Sequence, residues 1–130
     1  MATSPTFGSA APFTGSALVS ATANTALSAP GVTGNVSIYT AAASGAKIEE
    51  IDLVMIGTGL VGVIYIWRWV GGAGANYFLV DSIAVNTTLT AGMVLPLIYA
   101  NLQLNAGDVL TCTSSVANQP AQINAYGGSY

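Results

Sequence analysis

One stretch of the chain, residues 47–85, limits the possible folds more than any other. It contains both tryptophans, the only lysine, the only arginine and the longest apolar runs, and glycine clusters interrupt it at 57–59 and 71–74. The pieces between these breaks are crowded with β-branched and aromatic residues, which favour a pleated sheet over a helix. The pattern therefore predicts three consecutive antiparallel strands, at about residues 47–56, 60–70 and 76–85.

A membrane-spanning helix is the alternative interpretation of the same stretch. The uncharged run between Asp52 and Arg68 has about 15 residues, whereas a helix needs roughly 20 to cross the hydrocarbon. No lysine or arginine precedes Lys47, so the chain lacks the positive flank of a span and the charged start of a signal peptide. We therefore expect strands here and no membrane partner.

The scarcity of charge restricts the partners that the protein can have. Only 5% of the residues are charged although 52% are hydrophobic, and two basic residues stand against five acidic ones. Because phosphate backbones are bound through several Lys or Arg side chains, we expect no nucleic-acid partner. A monomer with so few charges would associate readily, which predicts a surface covered by copies of the chain or by a larger assembly.

Residues 1–34 consist almost entirely of Ala, Ser, Thr, Gly and Pro and carry no charge. Such a stretch has too few large side chains for a core, so it predicts an extended N-terminal arm in front of a domain at 35–130. A chain starting near Gly34 is then expected to fold. The arm is either a loose terminus or a segment that docks on a neighbouring surface. Its candidate anchors for docking are Phe7, Phe13, Leu18 and Leu27.

Further short strands, separated by turn residues, are predicted outside the central stretch. With the central three they make about eight strands at roughly 10-residue spacing, which predicts an all-β fold, an antiparallel β-sandwich of the jelly-roll type. A break in the alternation between Ile48 and Ile51 also predicts a β-bulge around Glu49 and Glu50. The additional strands are expected at 36–40, 93–96, 97–104, 109–115 and 121–126.

The second central strand is apolar on both faces. Tyr65, Trp67 and Trp69 alternate with Ile64 and Ile66. A strand of this kind belongs in the middle of a sheet whose two faces are both covered. We expect the aromatic face to serve core packing or subunit contact, although an arginine between two tryptophans leaves a carbohydrate-stacking site open.

No residue pattern in the chain predicts catalysis, and we expect neither an enzyme nor a cofactor. Glu49, Glu50 and Asp52 are close in sequence, but calcium needs six or more oxygens in a shaped loop, so no metal site is expected. The absence of histidine rules out the common zinc sites. Cys112 falls on the apolar side of a strand and predicts a small buried hydrophobe. Asp108 lies in a turn, where its side chain is expected to cap backbone N–H groups.

Six stretches of the chain, taken together, combine turn residues with apolar strand residues. They are SGAKI at 44–48, LVMIGTGLVGVIYIWRW at 53–69, YFLVDSIAV at 77–85, LQLNAGDVL at 102–110, TS at 113–114 and AYGGSY at 125–130. Together they resemble the small all-β virion proteins of tailed bacteriophages, and the resemblance covers about residues 35–130. It implies a component of the virion at the surface of the phage head, a capsid decoration or cement protein that binds the major capsid protein. It also implies self-association, and the three-fold sites of capsids favour a trimer.

Other functions remain open from the sequence. Similar virion proteins form parts of the neck or tail. A receptor- or glycan-binding β-sandwich, such as a tail-fibre tip or lectin-like module, would use Tyr65, Trp67 and Trp69 as its binding residues. A small membrane protein such as a holin is the third possibility. Binding to purified empty capsids, to a glycan array or to detergent micelles would distinguish the decoration, glycan-binding and membrane functions.

Overall fold

The structure is a computed structural model that describes residues 11–27 and 30–129, and nearly all of its regular structure is β-strand. One short 3-10 turn, Val70–Gly72, follows the fourth strand. The predicted all-β class is confirmed. The strands are β1 (Ala11–Leu18), β2 (Val36–Thr40), β3 (Ala46–Met55), β4 (Gly62–Trp69), β5 (Tyr77–Val85), β6 (Val94–Leu104), β7 (Val109–Ser114) and β8 (Ala121–Ser129).

The strands form two four-stranded antiparallel sheets. Sheet I has the order β1-β8-β3-β6, and sheet II has the order β2-β7-β4-β5. The pairs β4–β5, β3–β6, β2–β7 and β1–β8 are nested one outside the other along the chain, and successive pairs alternate between the two sheets. This connectivity is that of a jelly roll, so the predicted eight-stranded sandwich is confirmed.

The core between the sheets is built from alternate positions of the strands, because successive side chains of a strand point to opposite faces. In β4, Ile64 and Ile66 point inwards and are fully buried, whereas Tyr65, Trp67 and Trp69 point to the outer face of sheet II. The other fully buried core residues include Ile48, Ile51, Leu53, Leu110, Cys112, Ile123 and Ala125.

The predicted β-bulge in β3 is confirmed. The register of β3 against both of its neighbours, β6 and β8, shifts between Ile48 and Glu50. The extra residue at this point lets Ile48 and Ile51 both face the core although they are three positions apart.

Three strand assignments after residue 35 differ from the prediction by more than one residue. β8 runs to Ser129 and not to residue 126. β4 begins at Gly62 and not at residue 60, because the side-chain amide of Gln119 bonds both the N–H and the C=O of Leu60, each at 2.8 Å. The pieces predicted at 93–96 and 97–104 form one strand, β6. Pro96 does not break this strand, because β6 lies at the edge of sheet I, where a missing backbone N–H is tolerated.

The predicted boundary of the N-terminal arm needs revision. Residues 11–18 pair with β8 along their whole length, from Ala11 opposite Ser129 to Leu18 opposite Gln122. The next residue, Val19, is buried in the core. Backbone pairing therefore includes this stretch in the sandwich despite its small side chains, and the domain begins before residue 35.

A chain starting at Gly34 is consequently expected to be less stable than the longer chain, contrary to the expectation from composition. It would lose β1 and expose the backbone edge of β8. As a point test, Val19→Ala should lower the free energy of unfolding by about 1–3 kcal/mol in urea denaturation. Leu18→Ala is the matched control: this side chain is 61% exposed, so the change should stay within about 0.5 kcal/mol. An unchanged urea midpoint in the truncated chain would show that β1 lies outside the cooperative fold.

Candidate functional site

An aromatic cluster, defined as Tyr65, Trp67, Trp69 and Tyr77, lies on the outer face of sheet II. The first three occupy alternate positions of β4, and Tyr77 lies on β5 directly opposite Trp69. The Trp69 and Tyr77 rings stack with centroids 5.2 Å apart, and Trp67 meets Tyr77 edge to face at 6.3 Å. These arrangements are the favourable geometries for aromatic pairs, so the cluster is a packed unit.

Trp67 is the buried centre of the aromatic cluster. Only 1% of the residue is exposed, and its indole N–H donates to Thr113 Oγ on the neighbouring strand β7 at 3.0 Å. Trp69 is half-buried and donates its indole N–H to the backbone oxygen of Gly74 at 3.2 Å. A sugar stacks on an open aromatic face, and Trp67 presents none.

The segment that joins β1 to β2, within residues 19–35, is attached near the end of β7. Asn24 donates its backbone N–H to Ser114 at 2.7 Å, and its side-chain amide bonds the carbonyls of Pro30 and Thr33. Asn35 lies beside the hydroxyl of Tyr77, whose pKa is raised by burial. All residues of β7 are buried, so both faces of this strand are covered within the chain.

The predicted arm anchors are not brought together into one site. Phe7 lies outside the described residues. Phe13 stacks on Tyr39 of the other sheet, with ring centroids 3.7 Å apart, and so serves the sandwich itself. Leu18 and Leu27 are each 61% exposed.

The carboxylate of Asp108 is a structural anchor, as the sequence predicts. It is buried and accepts hydrogen bonds from the backbone N–H groups of Asn105, at 2.9 Å, and Gly71, at 3.0 Å. Its Oδ2 atom also lies 3.5 Å from Nε of Arg68. The turn before β7 and the turn after β4 are thereby tied to one side chain.

Cys112 is a buried core residue, as predicted. Burial raises the pKa of its thiol to about 12, so the thiol stays protonated and unreactive at neutral pH. Within the described ranges, no group of three or more His, Cys, Asp or Glu side chains lies close enough to hold a metal ion.

A second candidate surface is the outer face of sheet I. The registers place its residues in three rows across β1, β8, β3 and β6. Large apolar side chains stand open on this face: Ile98 is 72% exposed, Leu18 61% and Val94 49%. These side chains lie on the two edge strands, β1 and β6, with polar residues between them. The rows are Thr14, Tyr126, Glu50 and Ile98; Ser16, Asn124, Asp52 and Pro96; and Leu18, Gln122, Val54 and Val94.

Two carboxylates lie together on this face. Glu50 and Asp52 are on the same side of β3, and the pKa of Glu50 is raised by a hydrogen bond to Asp52, with smaller effects of desolvation and charge repulsion. Oδ1 of Asp52 is buried and has no hydrogen-bond partner within the described chain. One oxygen of the pair therefore lacks a compensating donor among the described residues.

A third feature, the edge cleft, was not predicted from the sequence. It is a recess of about 460 Å³ between β5, the last strand of sheet II, and β6, the last strand of sheet I. The one signal for this cleft in the sequence is that Arg68 is the single arginine of the chain. The principal lining residues are Arg68, Phe78, Leu79, Tyr99, Asn101 and Leu102.

No protein-family model matches the chain, and no curated protein sequence matches it significantly. Among the described residues, no helix has the length and apolar character needed to cross a bilayer. The function is accordingly inferred from the surfaces described above.

The packing of Trp67 leads to a direct test. Trp67→Phe removes the donor to the buried Thr113 hydroxyl and leaves a void, so the free energy of unfolding should fall by about 2–4 kcal/mol. Trp69→Phe is the matched control, because the hydrogen bond from the Trp69 indole to Gly74 is exposed to solvent. This change should lower the free energy of unfolding by less than about 1 kcal/mol. Urea denaturation followed by circular dichroism measures both. Equal, small losses would show that Trp67 is available for ligand contact.

The carboxylate pair leads to a test with a defined pH dependence. A carboxyl group whose pKa is raised by folding favours the folded state while it is protonated, and this contribution is lost as the pH rises through the folded pKa. Glu50→Gln should therefore raise the melting temperature at about pH 7, and the gain should disappear near pH 4, below the ordinary Glu pKa. Glu49→Gln removes the same charge from the same strand and is the control. A gain independent of pH would contradict the coupling of Glu50 to Asp52.

Proposed function

We propose that the protein is a non-enzymatic structural component of a tailed phage particle, a decoration or cement protein on the surface of the head. In this function the sandwich binds the major capsid protein and stabilises the shell, and the chain self-associates, most simply as a trimer. The proposal rests on the resemblance of residues 35–130 to phage virion proteins and on the surface of the folded domain.

The outer face of sheet I is the observation that carries the proposal. Its exposed apolar residues Leu18, Val94 and Ile98 lie on the two edge strands, and hydroxyl, amide and carboxyl side chains lie between them. Large apolar side chains left open on a strand surface favour contact with another molecule. Only 5% of the residues are charged, so the chain has few charged side chains to keep such a face hydrated.

The carboxylate pair favours a different protein as the occupant of this face. A two-fold contact between two copies through sheet I would bring Glu50 and Asp52 of each copy towards each other. Like charges directly opposite are destabilising. The chain has only Lys47 and Arg68 to compensate them, whereas a capsid protein can supply further basic side chains. We therefore assign the outer face of sheet I to the shell.

The burial of Trp67 weighs against the glycan-binding alternative. That function requires Tyr65, Trp67 and Trp69 to form an open stacking platform. Trp67, the central residue of the three, is covered and bonded to Thr113, and Trp69 is stacked on Tyr77. The cluster supports sheet II and leaves little aromatic area for a sugar.

The test is binding to purified empty capsids that lack the protein. Ile98→Asp places a charge at the most exposed of the apolar positions named on the outer face of sheet I, on the edge strand β6, and should weaken binding by at least about tenfold, as at an interface hot spot. Val61→Asp is the matched control: Val61 and Ile98 are both 72% exposed, but Val61 lies in the loop between β3 and β4 and is not part of sheet I, so its change should leave binding intact.

The outcomes separate the parts of the proposal. Light scattering should give three times the chain mass of 13.1 kDa for both variants and the parent. A soluble monomer at micromolar concentration would contradict self-association. Equal capsid binding by the Ile98 and Val61 variants would move the contact off sheet I, and failure of the parent protein to bind capsids, together with specific glycan-array binding, would contradict the decoration function.

A further inference from the structure

The edge cleft has the dimensions and walls of a binding site. Its volume of about 460 Å³ lies in the usual range for ligand sites. One wall carries Phe78 and Leu79, which are 57% and 47% exposed, and the other wall carries Leu102 and Asn101. Phe78 and Leu79 thus stand open at the recess and would be covered by a ligand, whereas Leu102 also packs against the core.

Arg68 supplies the polar group at the bottom of the cleft. Its guanidinium carbon lies 5.5 Å from the centre of the Phe78 ring, and its side chain is 34% exposed. Nε is 3.5 Å from Oδ2 of Asp108, which is too long for a good hydrogen bond, and Nε has no other partner within the described chain. Each oxygen of Asp108 already accepts one N–H, from Gly71 or from Asn105. The charge of Arg68 is compensated, but no hydrogen bond from its guanidinium is made to another described residue, and a carboxylate fits that planar set of donors.

The two walls of the cleft are strand edges. β5 and β6 are each the last strand of a sheet, so alternate N–H and C=O groups of each point away from its sheet. Further along β5, the edge is closed: Asp81 accepts the N–H of Ser82 at 2.8 Å and the hydroxyl of Tyr99 at 2.8 Å. The open stretch is therefore 77–80 on one side and 99–102 on the other. Exposed strand edges bind extended peptides through main-chain hydrogen bonds.

We propose that the edge cleft binds an extended peptide segment of a partner protein, with an apolar side chain against Leu79 and Leu102 and a carboxylate on Arg68. The backbone of the segment pairs with the open strand edges. This inference rests on the cleft alone and holds whether or not the protein decorates a capsid.

A second copy of the chain does not supply this segment. Residues 1–34 contain no acidic residue. The five carboxylate side chains of the chain all lie in folded elements, three in the middle of sheet I, one in β5 and one in the buried turn before β7. The occupant is therefore a segment of a different protein.

The experiment uses a blocked pentapeptide, acetyl-Val-Leu-Asp-Leu-Val-amide, titrated into the full chain and followed by the amide signals in NMR spectra. The control peptide has Asn in place of Asp and the same shape. Both should shift amide signals in 77–80 and 99–102, and the Asp peptide should bind about tenfold more tightly because its hydrogen bonds to the guanidinium are charge-assisted. Added salt should lower the affinity of the Asp peptide and leave the affinity of the Asn peptide nearly unchanged.

Substitutions in the protein identify the donor. Arg68→Lys keeps the charge beside Asp108, so the fold is preserved, but it removes the planar donor set and should reduce the preference for Asp to about twofold. Lys47→Arg alters the only other basic residue and should change nothing. Leu79→Asn changes an exposed side chain and should weaken the binding of both peptides to the same extent.

Three results would overturn the proposal: equal affinity for the Asp and Asn peptides, shifts confined to other surfaces, or no binding of either peptide. Tighter binding of glucuronate than of the Asp peptide would also overturn it, in favour of an acidic sugar. None of these results bears on capsid binding, which is measured through the Ile98 and Val61 variants, so the two proposals fail independently.

Discussion

The buried carboxylate of Asp108 holds together the end of the sandwich at which the edge cleft opens. Its oxygens accept the N–H groups of Asn105 and Gly71, and its backbone carbonyl accepts the N–H of Ala41 at 2.8 Å. One residue therefore joins three segments: the residue after β2, the turn after β4 and the turn before β7. Burying a carboxylate is costly unless its lone pairs are bonded, and here backbone donors and the nearby Arg68 offset that cost. The same contacts fix the arginine at the cleft, so the position of the candidate site follows from the stability of the turn.

The parts of the fold that were predictable carry their own local signal. β3 and β4 are rich in β-branched and aromatic residues, and the three-residue step from Ile48 to Ile51 revealed the bulge. β1 has no such signal, since its sequence APFTGSAL is mostly small, and it becomes a strand only because β8 offers a backbone edge. The edge cleft was not predictable for a similar reason: Arg68, Phe78 and Tyr99 meet across two different sheets, and periodicity within one strand contains no information on that contact.

The two outer faces of the sandwich differ in how far the chain itself completes them. The outer face of sheet II is filled by the aromatic cluster, and the segment between β1 and β2 is attached beside it at Ser114. Within residues 11–27 and 30–129, no comparable cluster or segment covers the outer face of sheet I, and its apolar residues lie among hydroxyl, amide and carboxyl groups. Exposed apolar side chains therefore remain on this face of the described chain, whereas the aromatic rings of the other face are packed on one another. The two faces thus differ in how much apolar surface the described chain itself buries.

The nested strand pairing also determines when the fold can form. β4 and β5 are adjacent in the chain and can pair early, but β7 is inserted between β2 and β4, and β8 between β1 and β3. Both sheets therefore remain split until the last part of the chain is present, and the pairing of Ala11 with Ser129 closes a loop of almost the entire chain. Pairings between such distant residues are slow, because the entropy of loop closure is lost before the contacts form. On the ribosome this domain cannot complete its core until β8 has left the exit tunnel, so the nascent chain carries open strand edges during that interval and depends on rapid completion or on chaperones to avoid aggregation.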